Sequence, residues 1–306
     1  TFTESECTVG TGEWALSGTL SMPKGEGPFP AVVLVHGSGP NDRDETVGAN
    51  KPFKDIAWGL ATKGIAVLRY DKRTTAYPTE MAAYPRFTVE DEVIDDALAA
   101  VSLLKETPGV NSRKVYVVGH SLGAMLAPRI AAKAGDSTTV AGLVMLAPGA
   151  RNLVDLAVEQ VEYLASLDGT MDDSESAQLQ AVKNDAAKIR DGLIQVGEIV
   201  LGAPKDYWDD LLSYDPVATA GSLTIPALIL QGERDYQVTM EDFALWSDRF
   251  SGSDGFALRS FPGLNHLFMP GEGASSPAEY QVQSNVDGSV IDVIAAWIKD
   301  ADRNER

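Results

Sequence analysis

Several things are scarce in this sequence. Cysteine occurs once, at Cys7, which excludes an internal disulfide and any cysteine-based metal cluster. Histidine occurs three times, as His36, His120 and His266. No two of these have H-x-x-x-H spacing, so no zinc site is expected. Basic residues are outnumbered: 25 Lys+Arg face 44 Asp+Glu, a net charge of −19. Such a surface repels polyanions and argues against nucleic acid, anionic membrane surfaces and polyanionic substrates. Acidity of this kind is more often a solubility trait than the mark of a cationic partner. No apolar run approaches the ~20 residues that span a bilayer, and no signal peptide stands at the front. The chain begins at Thr1 rather than Met, which leaves trimming or processing open, and with it whether a soluble protein is cytoplasmic or exported. Repeats and low-complexity tracts are absent as well, and the oligomeric state is not legible.

What is present is an alternation. Short runs at 31–35, 65–70, 114–119, 141–147, 226–231 and 256–261 are apolar on both faces, as parallel strands covered on both sides must be. Helical periodicity fills the gaps at 53–63, 89–106, 122–134, 240–250 and 288–299. Thr88, with Asp91 three residues on, is placed to cap the second of these. The alternation predicts an α/β fold with a mostly parallel sheet. Residues 7–22 instead show period-two character broken by Gly and Trp, and predict an antiparallel edge hairpin. Residues 151–214 lack a convincing strand and are too many for one crossover. They are expected to form a helical cap inserted into a core made of 1–150 and 215–306. The cap carries 13 acidic and 5 basic residues, which again disfavours an anionic substrate. Within it Tyr207 and Trp208 are candidates for a pocket wall, against the commoner role of packing the cap onto the body.

Residues 119–123 read Gly-His-Ser-Leu-Gly, a G-x-S-x-G pentapeptide. It follows a predicted strand and opens an alanine-rich predicted helix, the setting of a nucleophile elbow. A side chain at either glycine would collide with the neighbouring strand or helix. The turn lifts the Ser121 hydroxyl above the sheet, over a helix N-terminus whose free N–H groups favour negative charge.

A serine hydroxyl needs a base, and three histidines make the search short. His120 adjoins the serine and should leave the turn in another direction. His36 ends a strand before two glycines and is read as bracing a loop. His266 follows the last predicted strand and is the expected base and acid. Asp235, in a loop after the 226–231 strand, is the expected carboxylate partner, with Glu233 as its neighbouring alternative. The order Ser, Asp, His is the one an elbow of this kind requires. Two backbone donors must hold the oxyanion. Leu122 N–H is one; the other is expected from the loop His36-Gly37-Ser38-Gly39-Pro40, with Ser38 preferred and Gly39 next, since Pro40 has no N–H. Arg43 lies just beyond, and with Lys72 and Arg73 it is read first as an ion-pair support and second as a substrate contact.

Taken together, "HGSGPNDRDE", "VLRYDKR", "GHSLG", "IPALILQGERD" and "GLNHLF" resemble the α/β-hydrolase superfamily. The likeness is to bacterial serine carboxylesterases near the dienelactone-hydrolase and serine-aminopeptidase branches, over roughly 14–299. The resemblance implies an eight-stranded, mostly parallel sheet with helices on both faces, and cofactor-free chemistry through an acyl-enzyme. One departure stands out: Thr74 occupies a place where relatives often carry glycine. The expected substrate is a small to medium neutral or cationic ester. Alternatives are an aminopeptidase or amidase, for which cap acids such as Glu159 or Glu162 would hold the substrate amine, a thioesterase, or a non-catalytic binder on the same fold.

Overall fold

A computed structural model describes residues 1–134 and 140–300. Eight strands, β1 (Phe2–Val9), β2 (Leu16–Pro23), β3 (Phe29–Val35), β4 (Ala66–Tyr70), β5 (Val110–His120), β6 (Leu143–Leu146), β7 (Ala227–Gly232) and β8 (Phe256–Phe261), form one sheet in the order β1-β2-β4-β3-β5-β6-β7-β8. β1 and β2 pair antiparallel, as do β2 and β4, and every later pairing is parallel. The edge hairpin is longer than its apolar signal: β1 begins at Phe2 because its outer residues are solvent-facing and polar.

The central parallel strands are buried where they pair: Val32, Val33, Leu34, Val117 and Val118 are fully inaccessible. That requires helices on both faces. In chain order these are α1 (Pro52–Thr62), the short α2 (Arg73–Ala76) and α3 (Pro78–Ala82), α4 (Asp95–Glu106), α5 (Leu122–Ala134), α6 (Leu153–Ala165), α7 (Asp173–Arg190), α8 (Lys205–Leu212), α9 (Pro216–Ser222), α10 (Met240–Phe250) and α11 (Gly288–Asp300). Phe53, Ile56 and Leu60 of α1 and Val290, Ile294 and Ile298 of α11 fill one core. Val101 and Leu104 of α4, Leu126 and Ile130 of α5, and Trp246 of α10 fill the other. At ~25 cal/mol per Å² of apolar surface, these two layers are the main source of stability.

The helix expected over 89–106 is interrupted: Glu90–Ile94 form a π turn before α4 begins. Thr88 still caps it, its Oγ1 accepting from Glu90 N (3.2 Å) while its own N–H donates to Asp91 (2.8 Å). Between β6 and β7 the chain forms α6, α7, α8 and α9 and no strand. Helix α7 starts at a capping box of Asp172 and Glu175.

The sheet order positions the loops. From β3 the chain crosses through α1 to β4 on one side, then through α4 to β5 on the other. The loops leaving β3 and β5 therefore diverge over adjacent strands, the switch point at which open α/β sheets bind ligands.

Candidate active site

Ser121 stands between β5 and α5 with φ of 51°, in the left-handed region where L side chains are strained by about 1–3 kcal/mol. Its amide is tied to Leu146 O at 2.9 Å, which holds the turn against β6. A Cβ on Gly119 would overlap the Gly123 carbonyl, and one on Gly123 would overlap the carbonyls of Val35 and His36. Both glycines are thus demanded by close backbone approach. Leu122 is the first residue of α5, so its N–H has no partner within the helix.

The loop after β3 comes down onto the serine. A Cβ built on Gly37 would lie 3.2 Å from the Ser121 Cβ. The Gly37 amide is committed to Glu45 Oε1 at 2.7 Å, which leaves the exposed Ser38 amide as the next donor along the loop. The loop carbonyls are pinned from behind. Buried Lys72 donates from Nζ to Gly37 O (2.9 Å) and Gly39 O (3.0 Å), and Asn41 Nδ2 donates to Gly37, Ser38 and Gly39 carbonyls at 3.1–3.2 Å. Lys72 Nζ lies 3.3 Å from Glu92, which also accepts from Thr74 Oγ1 (3.1 Å) and Tyr207 Oη (3.0 Å). Thr74, where a glycine was anticipated from relatives, lies in the short helix α2 and joins this support.

His266 and Asp235 meet. His266 Nδ1 is 2.6 Å from Asp235 Oδ2, both side chains being almost wholly buried. Asp235 Oδ1 accepts from the amides of Gln237 (2.7 Å) and Val238 (3.0 Å), and Oδ2 from Gln231 Nε2 (3.2 Å). A carboxylate held this way fixes the imidazole with its proton on Nδ1 and Nε2 free to accept. The His266 loop is itself braced: Asn265 Oδ1 accepts from Leu267 N (3.0 Å) and Met269 N (3.2 Å). Glu233 turns away and accepts from Ser260 Oγ at 2.7 Å.

Ser121, His266, Gly37 and Ser38 open onto one cavity of about 210 Å³, walled further by Val47, Leu267, Pro277 and the polar Tyr236, Gln237 and Tyr280. Burial pushes the Tyr236 phenol up to about 12 and raises Tyr280 further, so these two phenols are neutral donors, while Glu45 and His120 also line the cavity. Part of the 151–214 segment borders this wall through α6: Tyr163 stacks on Tyr236 (5.1 Å between centroids) and Gln160 donates to Gln237 O at 3.0 Å.

Three anticipated contacts lie elsewhere. Tyr207 and Trp208 on α8 pack inward; beyond its bond to Glu92, Tyr207 stands edge-on to Phe87, and Trp208 Nε1 donates to Val200 O at 2.8 Å. Their amphipathic spacing served burial, and neither lines the cavity. Arg43 is bound to Asp71 through Nε (3.2 Å) and Nη2 (2.8 Å), and to Glu6 (2.7 Å), in a separate cavity. Conversely, Tyr236, Gln237 and Tyr280 went unread, although the first two directly follow Asp235.

Comparison with known proteins agrees with this architecture. The profile of the alpha/beta hydrolase family matches residues 32–280. The chain belongs to that family. It is 48% identical over 297 residues to Esterase EstD of Thermotoga maritima, covering 97% of this chain and 68% of that protein. Among solved structures it superposes on an esterase of Pyrobaculum calidifontis with TM-score 0.62 at 18% identity (97% of this chain, 85% of that one). On Est1E from Butyrivibrio proteoclasticus the TM-score is 0.57 at 18% identity, with 96% of each chain covered. At such identity these two speak for the fold.

Proposed function

We propose that this hydrolase cleaves small neutral or cationic carboxylic esters, with Ser121 as nucleophile, His266 as general base and acid, and Asp235 as the group that orients it. The chain is a carboxylic ester hydrolase, as its 48% identity to an esterase over nearly all of its length shows. The residue roles and the substrate class are the proposed part.

The chemistry follows from the groups present. Ser121 Oγ attacks the ester carbonyl as its proton passes to His266 Nε2, the nitrogen Asp235 leaves free. The carbonyl oxygen becomes an oxyanion, which the Leu122 and Ser38 N–H groups stabilise. Collapse breaks the bond to the alcohol oxygen, which leaves with the proton from His266. Water then attacks the acyl-serine by the same route in reverse, with His266 now the base.

The observation that carries this reading is the 2.6 Å contact of His266 Nδ1 with Asp235 beside a cavity that also holds Ser121. The cavity, at about 210 Å³, is below the ~300–1,000 Å³ typical of drug-sized ligands, and its phenols are neutral. Both favour short acyl chains without charge. Residues 151–214 are read as a cap whose α6 limits that volume. An aminopeptidase reading has less support: Glu159 is paired with Arg151 (2.5 Å) and Glu162 with Lys183 (3.3 Å), and neither lines the cavity. A p-nitrophenyl ester series from acetate to decanoate, run beside aminoacyl anilides, tests the proposal. The expected result is highest kcat/KM at two to four acyl carbons and negligible anilide cleavage. A maximum at long chains, or faster anilide turnover, overturns it.

A further inference from the structure

Beneath the site lies a second carboxylate and histidine that the proposed mechanism does not use. Glu45 is buried and has φ of 51°, a left-handed conformation costly for a residue with a side chain and found where surrounding structure imposes it. Its two oxygens face two different parts of the site. Oε1 accepts from Gly37 N in the loop over the serine (2.7 Å). Oε2 lies 3.0 Å from Nδ1 of buried His120, the residue before Ser121. On its far side His120 Nε2 is 2.9 Å from the backbone carbonyl of His266, and the His120 and His266 rings are 4.6 Å apart, centroid to centroid.

Both ring nitrogens of His120 thus face acceptors: an acid whose ionised form has no proton to give, and a carbonyl that never has one. A neutral imidazole carries one N–H and can serve one of them. The imidazolium can donate to the carbonyl while its charge pairs with Glu45 at 3.0 Å, and it neutralises a carboxylate otherwise buried without a counter-charge. We propose that Glu45 and His120 form a permanently charged strut, with His120 an imidazolium that acts as a positioning residue, tying the oxyanion loop to the His266 loop across the nucleophile. This deepens the proposed mechanism and rests on its assignment of His266 as the base.

The direction of the ionisation balance agrees. Burial opposes charge on His120, but the charge and hydrogen bond of Glu45 and the His266 carbonyl outweigh it and raise its pKa. Burial would likewise raise Glu45, and the charge and hydrogen bond of His120, with smaller contributions from His36 and the Gly37 amide, bring it below its ordinary value. The charged and titratable groups facing the strut are Asp235 and His266 on the side of the base, and His36, itself beside Lys72, on the side of the oxyanion loop.

With three histidines in the chain, histidine-labelled 15N NMR of the whole protein resolves each ring. The strut predicts that His120 shows the doubly protonated signature at pH 7 and keeps it to pH 8, and that Glu45→Gln abolishes it. A neutral His120 tautomer at pH 7 overturns the proposal, whatever the serine and His266 prove to do. In kinetics, His120→Gln and Glu45→Gln should each lower kcat about 10- to 100-fold through lost loop register. KM should move much less. A kcat within about twofold of the unsubstituted enzyme in both variants contradicts the positioning role. Ser121→Ala, measured alongside, reports on the parent mechanism separately, since it leaves the His120 spectrum in place.

Discussion

Two cavities among the described residues differ sharply, and the proposed chemistry falls in the smaller of the pair. The first, of about 490 Å³, lies at the antiparallel edge among Glu4, Glu6, Thr19, Arg43, Arg69 and Asp71. Its charges are spent on one another: Arg43 on Asp71 and Glu6, Arg69 on Asp44 and Glu4, while Lys54 sits over the Trp58 ring at 4.4 Å. The second, of about 210 Å³, lies over the switch point between β3 and β5. There the carbonyls of the loop after β3 and the Asp235 carboxylate are hydrogen-bonded, while the Ser121 hydroxyl, the Ser38 amide and the outer nitrogen of His266 are left for a ligand. Size and charge density do not mark the proposed reactive place. Unspent hydrogen-bonding capacity held by a spent scaffold does.

That contrast can be broken from either side. The largest effect is expected at Asp235→Asn, which keeps the shape but removes the charge that fixes the His266 tautomer. Activity should fall by about 10³- to 10⁴-fold with the fold intact. A loss under tenfold, with circular dichroism unchanged, would remove Asp235 from the mechanism.

Next comes acid stability. His36 is buried against Phe53 and Tyr70, and burial, only partly offset by Glu45, lowers its pKa to about 4. The unfolded chain takes up a proton near pH 6.5 and the folded one does not until about 4, so stability falls as pH drops through that window. The size is about 3 kcal/mol. The stability difference between the protein and its His36→Phe variant, from denaturant melts, should therefore change by about that amount between pH 7 and 4. A pH-independent difference would show that His36 is not held neutral.

Smaller again is Arg43→Ala in the larger cavity. Its partners are partly solvated, so the cost should be about 1 kcal/mol of stability, with kcat/KM within about twofold of the starting value. A tenfold rise in KM with unchanged melting would restore Arg43 as a substrate contact. The smallest effect is that of EDTA, which should leave esterase activity unaltered in an assay before and after dialysis. Loss restored by a divalent cation would demand a metal role.

The sequence made the sheet legible because its parallel strands are apolar on both faces, a signal that survives without any partner information. It failed where residues are polar and still paired. β5 starts at Val110, before its apolar run, because the half-buried Asn111 and the exposed Ser112 and Arg113 continue the strand and Val110 pairs with Phe29 across an irregular register. The elbow could be read because its glycines answer to steric need, and His266 because only three histidines compete. Aromatic residues on an amphipathic helix carry no such mark: Tyr207 and Trp208 pack α8 inward, while Tyr236 reaches the cavity from a loop and Tyr280 from the short 3-10 helix Pro277–Gln281, too brief to show periodicity. Glu45 was illegible for a related reason. Its importance lies in a left-handed backbone and in a contact with His120, 75 positions along the chain, and neither leaves a pattern.

The claim on which the rest depends is that Ser121 is the nucleophile, and covalent capture reads it directly. Treated with a fluorophosphonate and digested, the protein should yield a single modified peptide carrying the label on Ser121, with labelling abolished in Ser121→Ala. A label on another residue, or an unlabelled protein that still hydrolyses esters, would contradict the account.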